Sequence, residues 1–112
     1  MTPNLYLVLS KRPAEVSAED YDRWYHAHAR ENIETPGFIS ARRYALQPGR
    51  PDAPDFEHLA LYEYEGEYDE IGRALRARID RGEIVLPDWF GRIGFASWKA
   101  ASVDERADAP GR

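Results

Sequence analysis

Apolar and polar positions recur along this chain with two periods, and the switches between them mark six elements. Leu5-Tyr-Leu-Val-Leu-Ser10 is apolar on both sides of an extended chain and predicts a central strand. Lys11 to Val16, with Pro13, connects it to a helix. Ser17 followed three residues later by Asp20 reads as a capping-box-like start, and Glu19 and Asp20 suit the positive end of the helix dipole. This helix is expected to reach about Ile33 and to stop before Pro36-Gly37. Phe38 to Leu46 reads as the second strand. Gln47 to Asp55 holds three prolines and a glycine and is too long for a tight hairpin. Glu57 to Tyr64 alternates as a third strand. Tyr68, Ile71, Leu75 and Ile79 share one face of a second helix over about Glu67 to Arg81, with Gly82 as its stop. A fourth strand is expected from about Phe90 to Trp98.

The order βαββαβ predicts an α+β, ferredoxin-like fold: a four-stranded antiparallel sheet with both helices on one face. Residues 1–103 form one domain in this reading, and the polar stretch 104–112 is a flexible tail. Tyr6, Val8, Phe38, Tyr44, Leu59, Leu61, Ile93 and Phe95 are too many large apolar side chains for one side of the sheet. Covering the second side calls for another sheet, most simply that of an identical chain, so a homodimer is expected.

The first helix carries the most informative positions. Tyr21, Trp24, Tyr25 and His28 fall at i, i+3, i+4 and i+7 and share one side. A structural stripe is ordinarily aliphatic. Three aromatics and an imidazole instead bring hydroxyls, an indole N–H and a titratable ring, all needing partners, which suits a pocket lining. His28 is the leading proton-transfer candidate, because an imidazole with an ordinary pKa near 6.5 shifts easily toward the range that general acid–base chemistry uses. A hydrogen-bonded core histidine is the competing reading. His26 lies about 160° around the helix, on the solvated side with Asp22 and Arg30, and at i, i+2 cannot share a metal with His28.

His58, Ala60, Tyr62 and Tyr64 alternate onto one face of the third strand. That face looks either toward the helices, bringing Tyr62 and His58 to the site, or toward a partner sheet. Tyr6, Tyr21, Tyr25, Tyr44 and Tyr62 compete to supply a neutral hydroxyl that hydrogen-bonds a developing enolate oxygen. Of Arg42 and Arg43 at most one points inward. It would clamp a carboxylate or phenolate, or else pair with a glutamate such as Glu57 or Glu63.

The run Tyr21-x-x-Trp24-Tyr25-x-x-His28, the following Pro36-Gly37 and the strand with Arg43-Tyr44 resemble the EthD-like branch of the dimeric α+β barrel superfamily. The resemblance spans about residues 4–100. It implies two ferredoxin-like subunits whose sheets close into a barrel, with a pocket in each subunit between sheet and helices. Superfamily members include cofactor-independent monooxygenases, polyketide cyclases, isomerases, lyases and haem enzymes, so the fold leaves the reaction open. Where the family often follows its His with a small residue and a proline, this chain continues its helix through Ala29-Arg30-Glu31.

Composition narrows the classes further. With 15 basic against 20 acidic residues, net −5, and no basic cluster, a nucleic-acid partner is set aside. The absence of cysteine removes thiol chemistry and thiolate metal sites. No His-x-x-x-His and no glycine-rich dinucleotide fingerprint is present, so neither metal nor nucleotide cofactor is expected. A lone helical His can ligate haem, but the crowded stripe offers no large apolar slot. The apolar run Leu5 to Leu9 is shorter than a signal-peptide core and no stretch approaches the roughly 20 residues of a membrane span, which points to a cytoplasmic protein without membrane association.

The reading that results is a cofactor-independent acid–base enzyme of lyase, isomerase or cyclase type acting on a small aromatic or enolisable carbonyl compound. His28, Tyr62 and Tyr25 transfer protons, and Tyr21, Trp24, Tyr6, Arg43 and His58 hold the substrate. A cofactor-free monooxygenase of phenolic substrates and a non-catalytic binding dimer are the alternatives.

Overall fold

A computed structural model describes residues 2–111 of the chain. Its elements are β1 (Asn4–Lys11), α1 (Ala18–Asn32), β2 (Phe38–Ala45), β3 (His58–Tyr64), α2 (Tyr68–Asp80) and β4 (Gly94–Ala100), with a short 3-10 turn at Phe90–Arg92 before the last strand. The sheet is antiparallel in the order β2-β3-β1-β4, the α+β ferredoxin-like arrangement. β1 is central, as its two-sided apolar pattern requires. No helix among the described residues is long and apolar enough to cross a membrane.

Local chemistry accounts for the element ends. The Ser17 hydroxyl accepts from the Asp20 amide at 3.1 Å, so α1 starts where the cap places it. Gly37 holds φ at 106°, and a Cβ there would meet Ile71 of α2 at 2.5 Å. Only glycine lets the chain turn into β2 directly beneath the second helix. Arg78 ties α2 to the end of α1, donating to the Glu31 carbonyl and to Thr35 Oγ1, both at 2.7 Å.

Two features depart from the sequence pattern. The fourth strand begins at Gly94 rather than Phe90. Pro87-Asp88 opens consecutive turns in which the Phe90 amide donates to the Pro87 carbonyl and the Arg92 amide to the Trp89 carbonyl. Trp89 and Phe90 thereby fold over α1 instead of joining the sheet. The second is a bulge between Phe38 and Ser40 of β2. Phe38 and Arg43 are five residues apart and would face opposite ways in a regular strand. The extra residue turns both toward the helices.

The two sides of the sheet differ. Tyr6, Val8, Ser10, Ala41, Arg43, His58, Ala60 and Tyr62 lie toward the helices, with the buried core of Val16, Tyr21, Tyr25, Ala29, Ala60, Tyr62 and Ile93. On the other side Leu7 stands between Leu61 and Trp98, and Leu9 between Leu59 and Ala96. These leucines are only half-buried, and Trp98 is 55% exposed. The molecule is 21 Å across its thinnest direction, one helix layer on one sheet.

Candidate functional site

Helix α1 lies along the sheet with Tyr21, Trp24, Tyr25 and His28 turned inward, so the sheet becomes the floor under an aromatic stripe. Tyr21 is fully buried, and Tyr25 and His28 nearly so. The His28 ring stacks on Trp24 at 4.7 Å between centroids and 17° between planes. Tyr25 and Phe90 meet it edge-on, each at 6.1 Å. Burial without a charged neighbour lowers the His28 pKa to about 4, so the imidazole is neutral at physiological pH. Its Nδ1 atom is buried and has no hydrogen-bond partner in the protein.

Tyr62 rises from the floor toward α1. Its hydroxyl oxygen accepts from Asn32 Nδ2 at 3.2 Å and lies beside the Tyr25 hydroxyl. Burial raises the pKa of both phenols, which therefore stay protonated and able to donate. Arg43 places its guanidinium 4.9 Å from the Tyr25 ring centre and pairs with Asp22 Oδ1 at 2.9 Å. The anticipated glutamate partners of an inward arginine are thus corrected to an aspartate of α1. Glu57 is taken by Lys11 and Arg12, and Glu63 by the Ser40 hydroxyl.

His58 also faces the helices, with its ring 5.7 Å from that of Tyr21. Its pKa is lowered, first by burial and then by Arg43. Tyr6 sits apart from His28: it stacks on Tyr68 at 4.2 Å and reaches Tyr62 at 6.3 Å. Tyr62 is accordingly where a tyrosine-rich patch under α2 meets the stripe under α1.

Four buried polar atoms in this one layer lack a protein partner, His28 Nδ1, Asn32 Oδ1, Arg43 Nε and His58 Nδ1, while the Tyr21 hydroxyl and Ser10 Oγ pair with each other. The unpartnered four come from α1, β2 and β3. At the edge of that layer, between α1 and β2, is a cavity of about 530 Å³ whose wall includes Asp22, His26, Arg30, Arg43 and His58. A second cavity of about 670 Å³ under the β2–β3 loop shares His58. His28 lines neither; Trp24 and Phe90 close over it.

The structure thus gathers Tyr21, Tyr25, Tyr62, His28, Arg43 and His58 in one layer, while Trp24 forms its outer wall and Tyr6 its far flank. Ser10, Asp22 and Asn32 join them without having been singled out by the sequence reading. Asn32 continues the stripe at i+4 from His28, and Ser10 follows Tyr6 and Val8 at a spacing of two, so both were within reach of periodicity. Asp22 was placed on a solvated face, where only its pairing with Arg43 gives it a role. Among the described residues no three His, Asp or Glu side chains converge as a metal site.

The fold and its layer define an α+β, ferredoxin-like protein. It is similar to the crystal structure of a "putative monooxygenase" from Shewanella loihica PV-4, with TM-score 0.60 and 16% identity over 94% of this chain and 99% of that one. It is also similar to At3g17210 of Arabidopsis thaliana, with TM-score 0.64 and 13% identity over 92% of this chain and all of that one. At such identities the likeness concerns the fold. No protein-family model and no curated protein matches the sequence.

Proposed function

We propose that this protein is a cofactor-independent acid–base enzyme acting on a small aromatic or enolisable carbonyl compound bound between α1 and the sheet. One observation carries the reading: four unpartnered polar atoms share that layer. Native interiors leave few such atoms, and a concentration of them is what a polar guest would satisfy. His28, neutral at physiological pH, removes the proton alpha to the carbonyl, and the electron pair moves onto oxygen as an enolate. The protonated Tyr62 or Tyr25 hydroxyl hydrogen-bonds that oxygen, and the imidazolium then returns its proton to another carbon or to a leaving group. Access to His28 requires the Trp89–Phe90 turn to swing away from Trp24, whose ring now meets Trp89 at 5.0 Å. The EthD-like assignment belongs to this proposal and rests on the Tyr21-to-His28 run with Pro36-Gly37 and Arg43-Tyr44.

The second reading, a cofactor-free monooxygenase, draws support from the fold shared with the Shewanella protein. Turnover of aromatic carbonyl compounds by the wild type and by His28→Gln, followed together with dissolved O₂, separates the readings. The acid–base reading expects turnover without O₂ consumption and a loss of about 100-fold or more in kcat/KM for the variant. Full activity of folded His28→Gln refutes it, and stoichiometric O₂ uptake favours the oxygenase. Binding without turnover favours a non-catalytic carrier. We further propose that a second copy covers the leucine-rich side of the sheet, since a two-fold axis brings identical apolar faces together.

A further inference from the structure

We infer that the substrate of this site is a small monocarboxylate whose carboxylate enters the cavity between α1 and β2 and binds Arg43. This rests on the reading above that a small molecule occupies the helix–sheet layer, and it names the class of that molecule.

Arg43 is the best-placed group in that cavity. Its side chain is only 15% exposed, whereas that of Asp22, its single ionic partner among the described residues, is 65% exposed and so largely screened by water. One terminal nitrogen serves Asp22, reaching its carboxylate at 2.9 Å and its carbonyl at 3.2 Å. Nε is buried and has no acceptor. A guanidinium in which one N–H is satisfied and another is dry and empty is an incomplete fork. The fork matches two oxygens of a planar carboxylate.

The surroundings favour an anion. Arg30 joins Arg43 in the wall, against Asp22 as the one acidic side chain there, while Arg42 turns to the opposite face of the sheet beside Leu61. That local excess of positive charge stands out in a chain of net charge −5. The remaining wall includes Ala29, Ile33 and Ala41, small apolar surfaces that suit a hydrocarbon ring or chain attached to the anionic group. Such walls accept a ring carrying one carboxylate better than a fully hydrated phosphate. The Tyr25 ring beneath the guanidinium holds it in place and directs its free edge.

Calorimetric titration of the intact protein with benzoate, with the isosteric neutral benzamide, and with inorganic phosphate tests the assignment. Benzoate is expected to bind at least tenfold more tightly than benzamide and phosphate. Arg43→Gln should bring benzoate affinity down to that of benzamide, and Arg43→Lys should restore part of the preference, because charge returns without the fork. Equal binding of benzoate and benzamide, preference for phosphate, no benzoate binding in the millimolar range, or an undiminished preference in Arg43→Gln overturns the proposal. The wild-type ligand comparison decides the matter even where the variant does not fold. Turnover in His28→Gln reads the acid–base proposal separately, so either can fail while the other stands.

Discussion

The two faces of the sheet are made from the same four strands and differ in chemistry. Toward the helices, alternate positions carry Tyr6, Ser10, Arg43, His58 and Tyr62, and the layer above them adds tyrosines, tryptophans and His28. Toward the open side the intervening positions of β1, β3 and β4 carry Leu5, Leu7, Leu9, Leu59, Leu61 and Trp98, and the polar groups gather at the β2 edge, where Ser40 bonds Glu63 beside Arg42 and Tyr44. Leucine-rich surface gains free energy from being covered by anything apolar. Polar aromatic surface gains only when each donor and acceptor finds a match, and four here do not. The difference teaches that the covered face, usually the one that only stabilises, is here the specific one.

The largest expected effect that sharpens this contrast is at Tyr21. Truncation by Tyr21→Ala removes a fully buried ring that touches Tyr25, Trp24, His58 and Trp89, and should cost about 3–5 kcal/mol in chemical denaturation. Tyr21→Phe deletes only the hydroxyl and its bond to the buried Ser10, and should cost about 1 kcal/mol. A loss in Tyr21→Phe as large as in Tyr21→Ala would show that the hydroxyl rather than the ring carries the stability and weaken the contrast.

Next in size is the titration of His28. Its folded pKa of about 4 lies below the unfolded value near 6.5, so between these values the unfolded chain binds the proton more strongly. Stability should therefore fall as the pH drops from about 6.5 to about 4, by about 3 kcal/mol from this group, and level off below. His58 shifts in the same direction. Thermal midpoints of wild type and His28→Gln across that range test this; parallel curves would place the imidazole in contact with water or an acid.

On the open face, Leu7→Asp should leave the monomer folded and abolish the proposed dimer in sedimentation or light scattering. Each leucine so removed forfeits about 1.5–3 kcal/mol of burial per subunit. A monomeric wild type would break that side of the comparison. The smallest effect is at the helix start: Ser17→Ala, losing the bond to the Asp20 amide, should cost about 1 kcal/mol with no change in pH dependence.

Much of this was legible in the residues. The cap at Ser17, the Pro36-Gly37 stop, the helical stripe from Tyr21 to His28 and the two-sided apolar run of β1 each follow from local periodicity, and six elements in that order leave few ways to fold. Three things were not legible. Trp89-Phe90 reads as strand by composition, and only the turns opened by Pro87 move it onto α1. Alternation allows either face to be inward, so the destinations of Tyr62 and His58 waited on how the sheet packs. Arg43 needed the β2 bulge, which no residue type announces.

The sequence alone determined the elements, their order and the aromatic character of α1, because capping, turn geometry and hydrophobic period act between residues a few positions apart. Tertiary structure alone decided which polar atoms are stranded together and how the α1–β2 cavity acquires Arg43 and His58. Burial and hydrogen-bond satisfaction depend on neighbours tens of residues away, and a side chain's chemistry is set by who those neighbours are.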